Sequence, residues 1–102
     1  MKKILIIGAA GQLAFDLIRV LERSYEVIHA TRNDFNVVDR PGVEKFIKNH
    51  KPDIIINAAA YHKTEECERN PEKSFQVNAI GAYNVAKAAC DINARIIFLF
   101  LF

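Results

Sequence analysis

Short apolar runs alternate along this chain with longer segments in which apolar residues recur every three or four positions. The runs predict strands at residues 4–7, 26–30, 53–57 and 95–102, and a very short additional strand at residues 35–38. The periodic segments predict a helix over residues 12–22, a second one that Asp39 caps and that ends near His50, and a third that begins at Asn70 and Pro71. A helical turn is expected at residues 64–69. Alternating strands and helices predict an α/β fold, a doubly wound parallel sheet of about five strands with right-handed crossovers.

Two of the predicted helices carry an apolar stripe that is expected to face the sheet. In the first helix the stripe comprises Leu13, Leu17, Ile18 and Leu21. In the longest helix it comprises Phe75, Ala79, Ala82, Val85, Ala86 and Ala89.

Composition limits the classes of protein that this chain can belong to. Its 102 residues, 51% of them hydrophobic and 25% charged, match a single globular domain. A net charge of +2 does not indicate nucleic-acid or membrane binding, and the N-terminal apolar run is too short for a signal peptide or a membrane span. Cys67 and Cys90 are isolated thiols that suit a reducing cytoplasm. His29, His50 and His62 lack metal-ligand spacing, so no metal site is expected.

Two glycines follow the first strand and precede the first helix. Gly8 and Gly11 would let the backbone approach a nucleotide pyrophosphate, which the helix N-terminus would bind through its free N–H groups. Ala14 takes the position of the third glycine, whose task is close packing of the helix on the strand. The alternative is an ordinary tight turn in another kind of α/β protein.

In a doubly wound fold the ligand lies at the carboxyl ends of the strands, here near Gly8, Thr31 and Ala58. Thr31 and Arg32 stand where an acidic residue would select NAD(H) by binding the ribose 2′-hydroxyl. A hydroxyl and a cation suit a 2′-phosphate instead, so we expect NADP(H), with NAD(H) as the alternative. Arg32 as a merely solvated loop residue remains the other interpretation.

Small residues follow the predicted strand at 53–57. The segment at residues 57–61, Asn-Ala-Ala-Ala-Tyr, would let a loop pass close beneath a bound ribose and pyrophosphate. The alternative is that the small side chains only pack in a tight turn. Asn78, a polar residue beside the apolar stripe of the long helix, is expected to form a buried hydrogen bond to a strand end, and a surface position without a role is the alternative. For His62, Lys63 and Thr64 a solvated loop is favoured over a catalytic role.

Together these segments resemble the extended short-chain dehydrogenase/reductases, and among them the dTDP-4-dehydrorhamnose reductase branch of nucleotide-sugar reductases. The resemblance rests on residues 6–13, 51–61, 65–68, 70–72 and 77–79. It implies that residues 1–102 form a Rossmann-type NAD(P)-binding domain, and that the parent reaction transfers hydride to a 4-keto nucleotide sugar.

The resemblance also assigns cofactor-binding residues. The pyrophosphate would be held by Gly8, Gly11, Gln12 and Leu13, and the adenosine ribose or its phosphate by Thr31 and Arg32. Asn36 and Val37 match an Asp–aliphatic pair that flanks adenine, with Asn in place of Asp. The nicotinamide side of the cofactor would be lined by Ala58, Ala59, Ala60 and Tyr61, and Asn78 would lie on the helix that supports the active site.

The sequence departs from the family at its catalytic residues. A Ser/Thr is expected at the end of the last strand, where Phe100 or Leu101 stands, and no downstream Tyr-x-x-x-Lys motif follows. Tyr83 and Lys87 have the right spacing but lie on the wrong helix. We therefore expect this chain to contain no catalytic residues. It would be the N-terminal portion of a reductase and inactive alone, and a frameshift or premature stop is the expected cause. The alternative is a non-catalytic, nucleotide-binding regulatory subunit of the same fold.

The final segment, residues 96–102, is entirely apolar. An uncovered apolar strand is a template for pairing with another chain. Self-association, or a partner protein bound through this strand, is therefore expected.

Overall fold

The computed structural model describes residues 1–8, 12–58 and 71–99. The elements within these ranges alternate between strand and helix. In chain order they are β1 (Lys3–Gly8), α1 (Gln12–Leu21), β2 (Glu26–Ala30), α2 (Arg40–His50), β3 (Ile54–Ala58), α3 (Pro71–Asp91) and β4 (Arg95–Phe98).

Within the described residues, β1 to β4 form one parallel sheet in the order β2-β1-β3-β4. The first strand is therefore central, because its two neighbours are β2 on one side and β3 on the other. This topology confirms the predicted doubly wound α/β fold.

Each face of the sheet has its own hydrophobic cluster because side chains alternate along a strand. On one face, Leu5, Ile7 and Ile55 pack with residues of α2 and α3, including Val43 and Val85. On the other face, Ile4, Ile6 and Ile56 pack with Leu17, Ile18 and Leu21 of α1. A right-handed crossover that leaves β1 toward β2 and another that returns past β1 to β3 must cover opposite faces, which explains this division.

The additional strand predicted at residues 35–38 is not formed. The side-chain Oδ1 of Asn36 accepts a hydrogen bond from the Val38 N–H (3.2 Å), and the Asn36 carbonyl accepts one from the Asp39 N–H (2.9 Å). These local bonds close a turn, and an Asn side chain competes in this way with a strand ladder.

The buried face of α3 is displaced from the predicted stripe. Val85 and Ala89 are buried as predicted, whereas Ala79 is exposed and Ala82 and Ala86 are only half-buried. The inward residues are instead Gly81, Asn84, Val85, Ala88 and Ala89. The reason is that α3 packs against α2 as well as against the sheet, so its inward face includes a glycine and a polar residue that an apolar stripe does not reveal. The side chain of Phe75 and the predicted turn at residues 64–69 lie outside the described residues.

The two ends of α2 follow the sequence prediction in position. Asp39 has the extended conformation of an N-cap residue, but its side chain makes no capping hydrogen bond. At the other end, Lys51 adopts a left-handed conformation (φ 48°) and its N–H donates to the Ile47 carbonyl, immediately before Pro52.

Candidate functional site

The carboxyl ends of β2, β1 and β3 lie side by side at one edge of the sheet. Ile7 is paired with Ala30 and Gly8 with Ala58, so Thr31 follows at the same edge. Because α1 covers one face and α2 and α3 the other, this edge contains the topological switch point, at which doubly wound folds have the crevice that binds a ligand. Three segments that the sequence predicts to bind a nucleotide therefore converge here.

Gly8 has the backbone conformation that the predicted glycine turn requires. Its φ of 79° lies in the left-handed region, which glycine adopts without a Cβ clash. Helix α1 then begins at Gln12, and its first turn contains no acidic residue that would repel an anion. The Gln12 side-chain amide donates to Asp16 Oδ1 (3.0 Å). Ala14 is buried (2% exposed), as expected of a residue that packs in place of the third glycine.

His29 of β2 contacts the glycine turn directly. Its Nε2 lies 2.6 Å from the Gly8 carbonyl oxygen and donates to it, because a carbonyl can only accept. Sequence reasoning considered His29 only as a metal ligand and missed this contact. The signal in the sequence is a polar residue at a half-buried strand position between two apolar neighbours, Ile28 and Ala30.

Beyond β2, residues 31–34 form a compact turn. The Thr31 N–H donates to Asp34 Oδ2 (2.8 Å), and the Thr31 hydroxyl oxygen accepts from the Asn33 N–H (3.3 Å). Arg32 is exposed at the tip of this turn. Asp34 was missed in the sequence analysis, although an acidic residue three positions after Thr31 is a recognisable turn signal. The turn thus presents one cation and holds one carboxylate against its own backbone.

The following loop is held by α3. Asn36 is exposed, whereas Val37 is half-buried and its carbonyl accepts a hydrogen bond from Asn84 Nδ2 (2.9 Å). Asn84 is itself buried (4% exposed). A Cβ added to Gly81 would lie 2.8 Å from Val37 Cγ2, so the glycine is what allows the loop and the helix to approach. Asn84 and Gly81 were not predicted as part of the site.

At the end of β3, Asn57 and Ala58 are both buried. Ala58 pairs with Gly8 at this strand end. Several predicted site residues lie outside the described part of the chain: Gly11, Ala59, Ala60, Tyr61, His62, Lys63 and Thr64. The same holds for Phe100 and Leu101, and for the side chain of Leu13.

Tyr83 and Lys87 lie on α3 away from this crevice. Both are exposed, and Lys87 Nζ is 3.0 Å from Asp91 Oδ1. The hydrogen bond to Asp91 raises the pKa of Lys87. Lys87 is therefore paired with a carboxylate on an exposed part of the helix surface. Asn78, nearer the start of the same helix, is half-buried.

A cavity of about 480 Å³ lies at the opposite end of the sheet, before the amino ends of β3 and β4. Its lining residues are Lys48, Lys51, Pro52, Asp53, Ile92 and Asn93. Among the described residues there is no cluster of His, Cys, Asp or Glu suited to a metal ion. Those residues also include no helix with the length and apolar character needed to cross a membrane.

A doubly wound parallel sheet with a glycine turn at its switch point defines a nucleotide-binding α/β protein. The chain belongs to the family described as the RmlD substrate binding domain, whose model matches residues 1–100. The resemblance found in the sequence is thereby confirmed.

Similar proteins carry related names. The spore coat polysaccharide biosynthesis protein SpsK of Bacillus subtilis is 38% identical over 96 residues, which are 93% of this chain and 34% of SpsK. A dTDP-4-dehydrorhamnose reductase of Clostridium acetobutylicum has a crystal structure with a TM-score of 0.83 and 37% identity, over 92% of this chain and 34% of that one. A dTDP-4-dehydrorhamnose reductase of Bacillus anthracis, in complex with NADP, has a TM-score of 0.85 and 30% identity, over 94% and 35%. The chain thus spans about a third of the length of these relatives.

Proposed function

We propose that this chain is the NADP(H)-binding N-terminal portion of an oxidoreductase similar to dTDP-4-dehydrorhamnose reductase. The observation that carries the proposal is the convergence of Gly8, the Thr31–Arg32 turn and Ala58 at one crevice. The relative from Bacillus anthracis, similar over 94% of this chain, is bound to NADP. Residues 1–102 would form one nucleotide-binding domain, and the free thiol of Cys90 suits a reducing cytoplasm.

Two features around the crevice favour a dinucleotide phosphate, the start of α1 and the exposed Arg32, although the Asp34 carboxylate lies on the Thr31 N–H in the same turn. The first turn of α1 carries no acidic residue, so backbone N–H groups there can bind the pyrophosphate together with Gly8, Gly11, Gln12 and Leu13. Arg32 is exposed and free to reach a 2′-phosphate next to the Thr31 hydroxyl. Asn36 and Val37 would flank the adenine on the loop that Asn84 holds.

At the other end of the cofactor, Ala58, Ala59, Ala60 and Tyr61 would line the nicotinamide. The bound dinucleotide supplies a hydride, which in the whole reductase would pass to the 4-keto carbon of a nucleotide sugar. The residues assigned above would bind and orient the cofactor. Tyr83 and Lys87 are exposed on α3, and Lys87 is paired with Asp91, so we do not assign them the transfer of a proton to the substrate. We therefore propose that these residues alone give no turnover.

The outer edge of β4 supports a further proposal, that a second copy of this chain pairs there. In the described part of the chain, no strand lies beyond β4 in the sheet. Ile97 and Phe98 are 51% and 37% exposed on this strand. An edge with apolar side chains favours pairing with another strand.

Calorimetric titration with NADPH and with NADH tests the cofactor proposal. We expect tighter binding of NADPH, and a loss of about 10- to 100-fold in NADPH affinity in Arg32→Ala, the size of one charge-assisted hydrogen bond. NADH affinity should stay nearly constant in this variant because NADH lacks the 2′-phosphate.

Arg23→Ala is the matched control. Arg23 is an exposed arginine in the turn before β2, at the opposite end of that strand. The substitution Arg23→Ala changes the net charge by the same amount as Arg32→Ala, but at a position remote from the crevice. Binding of neither nucleotide by the unaltered chain would refute the proposed function, and equal losses in both variants would refute the assignment of Arg32.

A further inference from the structure

His29 connects two segments of the crevice, the Thr31–Arg32 turn after β2 and Gly8 at the end of β1. It belongs to β2, two residues before Thr31, and its side chain reaches across to β1. The register pairs His29 with Ile6, so the imidazole lies on the α1 face of the sheet. It is half-buried there, and its Nε2 donates to the Gly8 carbonyl at 2.6 Å.

The Gly8 carbonyl lies where the backbone ladder no longer provides a partner from β2. The last pair between these strands is Ile7 with Ala30, so Gly8 is one residue beyond it on that side. Gly8 also has a left-handed φ and no Cβ to restrict its rotation. The imidazole donor therefore supplies the hydrogen bond that fixes the direction in which the backbone leaves β1.

We propose that His29 is a positioning residue of the nucleotide site, which acts by holding the Gly8 carbonyl at the end of β1, from which the predicted pyrophosphate-binding segment starts. The inference rests on the proposed function, because it concerns the same crevice. A preorganised binding loop spends less free energy on ordering when the ligand binds. Loss of the donor should consequently weaken nucleotide binding more than it weakens the fold.

His29→Leu and His29→Gln separate positioning from packing. Leucine retains most of the side-chain volume but has no hydrogen-bond donor. Glutamine instead offers an amide N–H at a distance from the backbone similar to that of the histidine Nε2. We expect NADPH affinity to fall about tenfold in His29→Leu, the effect of one hydrogen bond, and to recover largely in His29→Gln. Urea unfolding of each variant shows whether the fold is retained.

His50→Leu is the matched control. His50 is also a half-buried histidine whose ring donates to a carbonyl, from Nδ1 to Phe46 at 3.0 Å, but it lies at the end of α2. This variant should bind NADPH as the unaltered chain does. If His29→Leu also binds NADPH with unchanged affinity, the inference is overturned while the proposed function stands.

A measurement on the unaltered chain keeps the inference testable even if His29→Leu does not fold. Nitrogen-15 NMR of the imidazole should show Nε2 of His29 protonated, and saturation with NADPH should shift that resonance because the bonded carbonyl belongs to the turn. An unchanged resonance at saturation overturns the inference. Absence of NADPH binding by the unaltered chain overturns the proposed function, and this inference with it.

Discussion

Asn84 connects α3 to the loop after β2 through one hydrogen bond, from its Nδ2 to the Val37 carbonyl. Asn84 is 4% exposed, so its amide group is shielded from water, whereas Val37 is half-buried. Loss of one partner of a hydrogen bond that is shielded from water costs the folded state about 1–3 kcal/mol. Asn84 therefore contributes to stability and also fixes the segment that we assign to the adenine.

Asn84→Asp tests this bond with almost no change in volume. The variant places a carboxylate oxygen against the Val37 carbonyl. We therefore expect the free energy of unfolding at neutral pH to fall by about 1–3 kcal/mol. Urea denaturation followed by circular dichroism measures it. Asn33→Asp, at an exposed position in the turn after β2, is the control and should change little. An equal effect at both positions would contradict the role of Asn84.

Gly81 is a second point where α3 touches the same loop. Alanine normally favours a helix over glycine by about 1 kcal/mol. Here the added Cβ would lie 2.8 Å from Val37 Cγ2, and valine has few alternative rotamers. We expect Gly81→Ala to destabilise the fold by about 1–3 kcal/mol, the usual cost of overpacking.

Removing the opposing methyl groups checks this steric explanation. In the background of Val37→Ala, the change Gly81→Ala should cost much less, or even stabilise through helix propensity. A double-mutant cycle of unfolding free energies measures the coupling. Additive effects would show that the two residues do not clash.

At the residue scale, the sequence predicted the strand-end positions but not what supports them. Gly8, Thr31 and Ala58 follow apolar runs, and parallel strands bring such ends together, so their convergence could be foreseen. The contacts of His29 with Gly8 and of Asn84 with Val37 join residues 21 and 47 positions apart. Such pairs depend on register and on the approach of a helix, which local patterns do not contain.

At the scale of elements, the end of α2 contains an unfavourable residue. Lys51 has a φ of 48° and precedes Pro52, although a left-handed conformation costs a residue with a side chain about 1 kcal/mol or more. A proline further restricts the residue before it. The connection to β3 is therefore made at some cost in stability.

Lys51→Gly should relieve this cost. We expect the variant to be more stable by about 0.5–1 kcal/mol, because the relief exceeds the added entropy of glycine in the unfolded chain. Lys48→Gly, within the same helix, is the matched control and should be less stable by about 1 kcal/mol. Thermal unfolding of both variants measures the contrast, and a loss of stability in both would refute the explanation.

The elements themselves were largely predictable. The bounds of β2 were predicted to the residue and those of α1 to within one position, because each lies between clear polar or glycine boundaries. The strand expected at residues 35–38 failed because the Asn36 side chain closes a turn. The inward face of α3 was displaced because the packing of α2 determines it, and apolar periodicity alone cannot show where a neighbouring helix will lie.

At the scale of the whole molecule, the two faces of the sheet carry different helices. Among the described residues, α2 and α3 pack on one face and α1 packs on the other. Ile97 of β4 lies in register with Ile56, on the α1 face, and is 51% exposed. Strand β4 thus combines an outer edge with an exposed apolar side chain.

Ile97→Lys tests the proposed pairing of two copies at this edge. We expect the unaltered chain to sediment as a dimer or larger species at roughly tens of micromolar, where uncovered apolar edges associate. A lysine on the edge strand should return it to a monomer. Val20→Lys, at another exposed apolar residue on α1, should leave the association unchanged. A stable monomer of the unaltered chain would refute the pairing.

The central place of β1 has a consequence for synthesis on the ribosome. Its partner β3 lies 50 positions further along the chain, since Ile4 pairs with Ile54. At translation rates of about 5–20 residues per second, the central strand of the sheet waits roughly 3–10 s for that partner to be made. During this interval the nascent chain exposes Ile4, Leu5, Ile6 and Ile7, which are the side chains that a chaperone binding apolar segments would meet first.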